Sequence, residues 1–422
     1  MSDAPQAENA LPDIQVSTGL TLGGLGAGLL AGLAVEHWPG LTPLRMVIEP
    51  VGALWLKALE MTILPLVSAL LVVGVVTMMA AAGAGRQAMR TLGWIFGLYF
   101  ASAGIAAVAM PLLLKLWPVP LAAQGALSGA VAAKDAPIPG LSDFLLSLLP
   151  SNIFAAAASD AMLPCVAFFS LFGVAISRLG EGQRRHLTSL FEALAGAMMV
   201  MIGWVLRLAP IGVFALSMAL AARTGAAAIG VLAHYVITVS MMGWAVLAAA
   251  PVLAVVGARV ALGTYVRAMV PVGAVAISTQ SSLASLPAML TACRKLGVGQ
   301  ASADFVLPLC VALFRATGPA MNLAVAIYVA QLTGTPISPA MMVAGVIVAA
   351  ITEISSPSLP GAISFVSAVG PVALAMGVPI GPLALLVAVD MLPDITRTVG
   401  NVAMDVVVAA LVDRGRDRRR EA

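Results

Sequence analysis

An all-α polytopic membrane protein is the fold class this sequence predicts, and three observations predict it. Of its 422 residues, 61% are hydrophobic and only 10% are charged, where soluble domains carry about 25% charged residues. Apolar runs long enough to cross a bilayer as helices recur along the chain, whereas a transmembrane β-barrel would show short alternating segments. Basic residues collect between the runs and in the tail, as membrane topology requires. The net charge of +3 reflects that placement and points to no nucleic-acid partner.

Taken in order, spans are predicted near 19–36, 50–80, 92–116, 162–178, 188–221 and 226–257, and a last one near 380–412. Residues 1–18 are polar and acidic and lack the basic start of a signal peptide, so a cytoplasmic N-terminal segment without cleavage is expected. Arg86/Arg90, Arg178/Arg184/Arg185, Arg259/Arg267 and Arg294/Lys295 share one side with the basic tail 413–422 if eight helices span and both termini are cytoplasmic. The stretch 118–147, rich in Pro, Ala and Gly, reads as an external loop. Cys165, Cys293 and Cys310 lie far apart in apolar contexts, so buried packing is expected of them and not metal binding.

The region 258–376 breaks the simple pattern. Ser278-Thr-Gln-Ser281-Ser282-Leu-Ala-Ser285-Leu-Pro287 interrupts apolar sequence, and Ser355-Ser356-Pro-Ser358-Leu359-Pro360-Gly361 does so again. Each precedes a long helix with charge inside it. Two such units predict an inverted repeat with two re-entrant helical hairpins, because exposed backbone at membrane depth is tolerated only where it lines a cavity.

The last span carries the strongest signal. Asp390, Asp394, Arg397, Thr398, Asn401 and Asp405 interrupt an apolar run at spacings that place them on one helix face. Ionisable groups in hydrocarbon cost several kcal/mol unless they face a partner or a cavity. The stripe therefore predicts a lined site for a charged or zwitterionic solute, with Asp390 supporting it from one end. Interhelical polar contact is the competing explanation.

These residues resemble the dicarboxylate/amino acid:cation symporter family, the glutamate-transporter fold, over almost the whole chain. Trp55-Leu-Lys-Ala-Leu-Glu60-Met61-Thr-Ile-Leu-Pro65, Leu149-Pro150-Ser151-Asn152, Phe172-Gly173 and Ala209-Pro210-Ile211-Gly212-Val213-Phe214-Ala215 are similar to its earlier helices. The block Asp394…Arg397-Thr398…Asn401…Asp405 is its most specific match. The resemblance implies a homotrimer in the inner membrane in which each protomer moves its own small anionic or zwitterionic substrate by an elevator motion. Helices 1, 2, 4 and 5 would form the scaffold; helices 3 and 6, with residues 258–412, the transport domain. Asp394 would take the substrate ammonium and Arg397 its side-chain carboxylate. Asn401 and the Ser281/Ser282 tip would hold the α-carboxylate, with Thr398 and the second tip, Leu359-Pro360-Gly361, beside them. Asp405 would be a cation ligand, the candidate for sodium. Keeping both Asp394 and Arg397 favours an acidic amino acid over a plain dicarboxylate.

One family motif is missing. The seventh helix of the family carries the sodium-binding run Asn-Met-Asp-Gly-Thr, and the equivalent here is Phe314-Arg315-Ala316-Thr317-Gly318. Arg315 places a fixed positive charge where the family binds a cation, and Glu353 replaces a small polar residue near the second tip. Three readings stay open: Arg315 pairs with Glu353 and stands in for one sodium, Glu353 carries a proton, or coupling is lost and the protein exchanges or facilitates. The coupling ion is then sodium or a proton, and no other cofactor is expected. A channel-like or solute-sensing protein of the same fold is the alternative of a different class. No nucleophile–base set and no metal-binding motif of an intramembrane enzyme is present in the sequence.

Overall fold

The computed structural model describes residues 18–38, 42–83, 85–120, 146, 149–159, 161–225, 227–354 and 362–417, and none of these is in a strand. The first half is built of long apolar helices: α1 (Thr18–His37), α2 (Thr42–Ala82) and α3 (Arg86–Leu116). A short α4 (Ile153–Ala158) follows, its N-terminus capped by Asn152, whose Oδ1 accepts from the Phe154 and Ala155 N–H groups. Then come α5 (Met162–Ser177), α6 (Glu181–Arg207), α7 (Ala209–Thr224) and α8 (Ala227–Val256).

The run 188–221, expected as one span, breaks at Leu208 into α6 and α7. Pro210 sits in the first turn of α7 and has no N–H to extend the ladder of α6, so the chain restarts there. Sequence also dictates how α1 meets α7. Gly24, Gly28 and Gly32 recur every fourth residue, and a Cβ on any of them would collide with α7 at Pro210, Phe214/Ser217 or Met218. This small-residue stripe lets two backbones approach closely where lipid provides no hydrophobic drive between helices. Elsewhere the Trp55 indole N–H donates to the Val205 carbonyl at 2.9 Å and ties α2 to α6.

In the second half α9 (Leu262–Thr279) is long and apolar enough to cross a membrane. It instead turns at Gln280–Ser285 and packs beside α10 (Leu286–Lys295), which is the first expected hairpin. Gln280 takes the left-handed conformation that ends α9 (φ 49°). Next come α11 (Gln300–Leu313), α12 (Gly318–Thr333), α13 (Pro339–Glu353) and α14 (Ala362–Ala375). The last two pack together as the arms of the second hairpin; its expected tip, 355–361, lies outside the described residues. A single turn, α15 (Leu383–Leu386), leads into α16 (Met391–Asp417).

Burial separates centre from periphery. In α11–α12 and in α16, 89% of the apolar span is buried inside the protein, against 33% in α3, α6 and α8. Helices that are apolar all round belong in an interior, and those with one packed face belong against lipid. The broken pair α11/α12 and α16 are thus the core around which α3, α8, α9, α13 and α14 pack. None of the three cysteines is in a disulfide and all three are buried, as expected. His234 is buried, 3% exposed. Its ring nitrogens reach the Trp117 carbonyl (3.1 Å) and the Tyr328 hydroxyl (3.3 Å). Nothing in the local sequence signals that packing.

Candidate functional site

The site forms where α16 passes the break between α11 and α12. Phe314 leaves the helix in an extended conformation, and α12 restarts at Gly318 with Pro319 in its first turn. The intervening backbone has lost its helical partners and must find others. The Arg315 N–H donates to the Tyr99 hydroxyl at 3.0 Å, and that hydroxyl donates to the Leu313 carbonyl. The Thr317 N–H donates to Asn401 Oδ1 at 3.0 Å, and the Thr317 hydroxyl lies 2.8 Å from the same oxygen and 3.1 Å from the Arg397 carbonyl. Gly400 permits this approach, since a Cβ there would strike Thr317.

The Thr317 contacts decide how Asn401 can act. A backbone N–H can only donate, so the oxygen of the amide is the atom facing α12. Nδ2 makes no hydrogen bond among the described residues, which leaves two donors for a ligand. Asn401 is therefore presented as a donor, the polarity a carboxylate needs.

Arg397 is the hub. Asp390 ends the turn before α16, and Asp394 stands in its first turn, where the helix dipole favours a carboxylate. Arg397 Nη1 donates to Asn322 Oδ1 at 3.1 Å. Its Nε lies 3.4 Å from Asp394 Oδ1 and its Nη2 lies 3.7 Å from Asp390 Oδ1. Those are charge contacts: both nitrogens are buried and make no hydrogen bond. The Tyr235 hydroxyl donates to Asp390 Oδ1 at 3.2 Å. Asp394 is more open, its side chain 17% exposed, and Thr398 donates to its carbonyl at 3.0 Å.

Asn322 extends this network. Its Nδ2 donates to Glu353 Oε2 at 2.8 Å, so one amide joins Arg397 to the end of α13. Glu353 is 2% exposed and rests against the first turn of α12 at Gly318, where any Cβ would overlap its carboxyl. A helix N-terminus also suits a carboxylate there. The described hydrogen-bond partner of Glu353 is Asn322, while Arg315 is the strongest opposite charge acting on it, ahead of Arg397. Asp405 is fully buried, and neither carboxylate oxygen has a hydrogen-bond partner. Arg315 supplies the positive charge that acts on it.

The structure thus gathers Asp390, Asp394, Arg397, Thr398 and Asn401 on one face and sets Arg315, Glu353 and Asp405 around the helix break. Ser281 and Ser282 stand at the turn of the first hairpin, where Ser281 Oγ accepts from the Ala284 N–H at 3.3 Å. No described hydrogen bond joins them to α16. Leu359, Pro360 and Gly361 lie outside the described residues. Asn322, Thr317, Tyr99 and Tyr235 are members that sequence reasoning missed. Asn322 left a signal: it is a lone amide in the first half of an apolar helix, and polar groups at that depth mark function or pairing.

Removing that amide has a defined cost. Asn322→Ala strips one charge-assisted hydrogen bond from Arg397 and one from Glu353, each worth about 1.5–3 kcal/mol. Substrate affinity is expected to fall at least tenfold by calorimetry, with the thermal unfolding midpoint lowered by several degrees.

A family model described as the sodium:dicarboxylate symporter family matches residues 18–415. The proton/glutamate-aspartate symporter of Escherichia coli (strain K12) is 28% identical over 393 residues, covering 88% of this chain and 87% of that relative. A proton/sodium-glutamate symport protein of Bacillus subtilis (strain 168) is 26% identical, covering 92% and 90%. C4-dicarboxylate transport protein 2 of Ralstonia nicotianae is 26% identical, covering 93% and 89%. With the match running from the first helix through the polar stripe of the last, the chain belongs to the sodium:dicarboxylate symporter family.

Proposed function

We propose that this protein is a secondary active symporter of acidic amino acids, aspartate or glutamate, or of closely related C4-dicarboxylates. It works in the cytoplasmic membrane with both termini inside, as a homotrimer of elevator-type protomers, and does no enzymatic chemistry. The observation that carries this reading is the state of Arg397. Two of its buried nitrogens have charge neighbours but no hydrogen-bond acceptor, and buried donors without acceptors are rare. A carboxylate forked onto the guanidinium would satisfy them. The Asn401 amide donors suit a second carboxylate, and the partly exposed Asp394 suits an ammonium. Two carboxylates and an ammonium describe an acidic amino acid.

The driving ion follows from the helix break. Phe314, Arg315 and Ala316 offer no side-chain oxygen, and a hard cation needs several oxygen ligands. Arg315 already brings positive charge to Asp405 and Glu353. We infer that this guanidinium takes the place of one sodium and that a proton, carried on the buried Glu353, drives accumulation. The names of two relatives, one a proton and one a proton/sodium symporter, agree with a family in which the driving ion varies.

The Asp394 assignment has its own test. Asp394→Asn removes the counter-charge for an ammonium and leaves Arg397 and Asn401 in place. Aspartate affinity is expected to fall about 100-fold or more, while succinate and malate change by less than about fivefold; a hydrogen-bonded charge pair is worth about 3 kcal/mol at such depth. Competition against labelled aspartate reads both, and equal weakening of the two classes would make Asp394 structural.

A further inference from the structure

A cavity of about 690 Å³ is separate from the polar site. Its walls include Ala53 of α2, Ala219 of α7, Leu232 of α8, Leu332 of α12, and Pro382 and Leu386 at α15. The lining is apolar except for two charges, Glu49 and Arg223, whose side chains are 32% and 35% exposed and meet at 3.1 Å. Arg223 stands in the last turn of α7, and Glu49 lies three residues into the membrane-length stretch Met46–Ala82. The cavity therefore has its charges at the depth of a headgroup and its apolar body deeper. Its volume is that of a site for one small amphiphile.

We propose that this cavity binds one phospholipid with a primary ammonium headgroup, its acyl chain inside, its phosphate on Arg223 and its ammonium on Glu49. Charge complementarity selects that occupant. An anionic amphiphile would set its charge beside Glu49, and a cationic one beside Arg223. A zwitterion satisfies both. The guanidinium fork keeps N–H donors beyond the one spent on Glu49, and forked donors suit phosphate. A trimethylammonium group cannot donate a hydrogen bond to a carboxylate, so phosphatidylethanolamine is preferred over phosphatidylcholine. The cavity lies between α2 and α7 on one side and α8, α12 and α15 on the other. Resting on the elevator reading, these are scaffold and transport elements, so occupancy sets the rate of transport and leaves substrate affinity unchanged.

Delipidated wild-type protein is presented with equal phosphatidylethanolamine and phosphatidylcholine and examined by native mass spectrometry. One retained phosphatidylethanolamine, favoured at least tenfold, is expected. Retention should be lost in Ala219→Trp and in Ala53→Phe, which fill the cavity from α7 and from α2, and weakened in Arg223→Gln. An unchanged size-exclusion profile and helical circular dichroism in a variant show that it is folded. Equal retention of the two lipids, or unchanged retention in a folded cavity-filled variant, overturns the site. Uptake into vesicles of phosphatidylethanolamine with phosphatidylglycerol is then compared with uptake into phosphatidylcholine with phosphatidylglycerol. A several-fold lower maximal rate with the same KM in the second supports the effect on transport, and an equal rate overturns that part. Lipid retention is read without any transported substrate, so it stands or falls apart from the function proposed above.

Discussion

Arg397→Cys is expected to abolish binding of aspartate and glutamate. The guanidinium faces Asp390 and Asp394, donates to Asn322, and lends its charge to Glu353. Removing it deletes the fork for the substrate carboxylate and leaves Asp390 and Asp394 without their main counter-charge. Breaking a buried ion pair from one side costs about 3–5 kcal/mol, so an affinity loss of at least 100-fold should appear in equilibrium binding. Small neutral amino acids should bind comparatively better, because Asp394 and Asn401 still offer sites for an ammonium and an α-carboxylate. Arg397→Lys should not restore acidic substrates, since an ammonium is a point charge without the planar fork. Unchanged aspartate affinity in either variant would remove Arg397 from the substrate site.

Arg315→Ala is expected to be nearly as severe, for a different reason. Its charge acts on both Glu353 and Asp405, and Asp405 has no hydrogen-bond partner for either oxygen. Without that charge each carboxylate must take up a proton or a cation, and proton-driven uptake should fall at least 100-fold. Here Arg315→Lys should recover a substantial part of the rate, because the role is positive charge and not a forked contact. That contrast separates the two arginines. In a double-mutant cycle, Arg315 and Glu353 should show a coupling energy of about 1 kcal/mol or more, since Arg315 is the strongest opposite charge acting on Glu353. Purely additive losses would mean that the two groups act independently.

The polar stripe was legible because its period is local: residues spaced by three or four on one helix share a face wherever that helix goes. The hairpins were legible for a related reason, since runs of serine and proline cannot continue an apolar span. Sequence could not show what the stripe faces. Thr317 sits in a segment noticed only for its missing sodium motif, yet its N–H fixes the orientation of Asn401 across a separation of 84 residues. Asn322 is a single amide with no pattern around it in the sequence, yet it links Arg397 to Glu353. Tyr99 and Tyr235 resemble any buried aromatic in sequence, because what matters is the hydroxyl each delivers to a partner over 150 residues away. The break at Leu208 was hidden by uniform hydropathy, although Pro210 marked it.

The central claim is that an internal guanidinium replaces a sodium ion in a proton-driven symporter of acidic amino acids. Uptake of labelled L-aspartate into proteoliposomes, under an imposed pH gradient or an imposed sodium gradient, tests it most directly. Accumulation above the external concentration with the pH gradient alone, unaffected by sodium, is the predicted result. Accumulation that requires the sodium gradient would contradict it, and would mean that sodium ligands form around Asp405 despite the positive charge of Arg315.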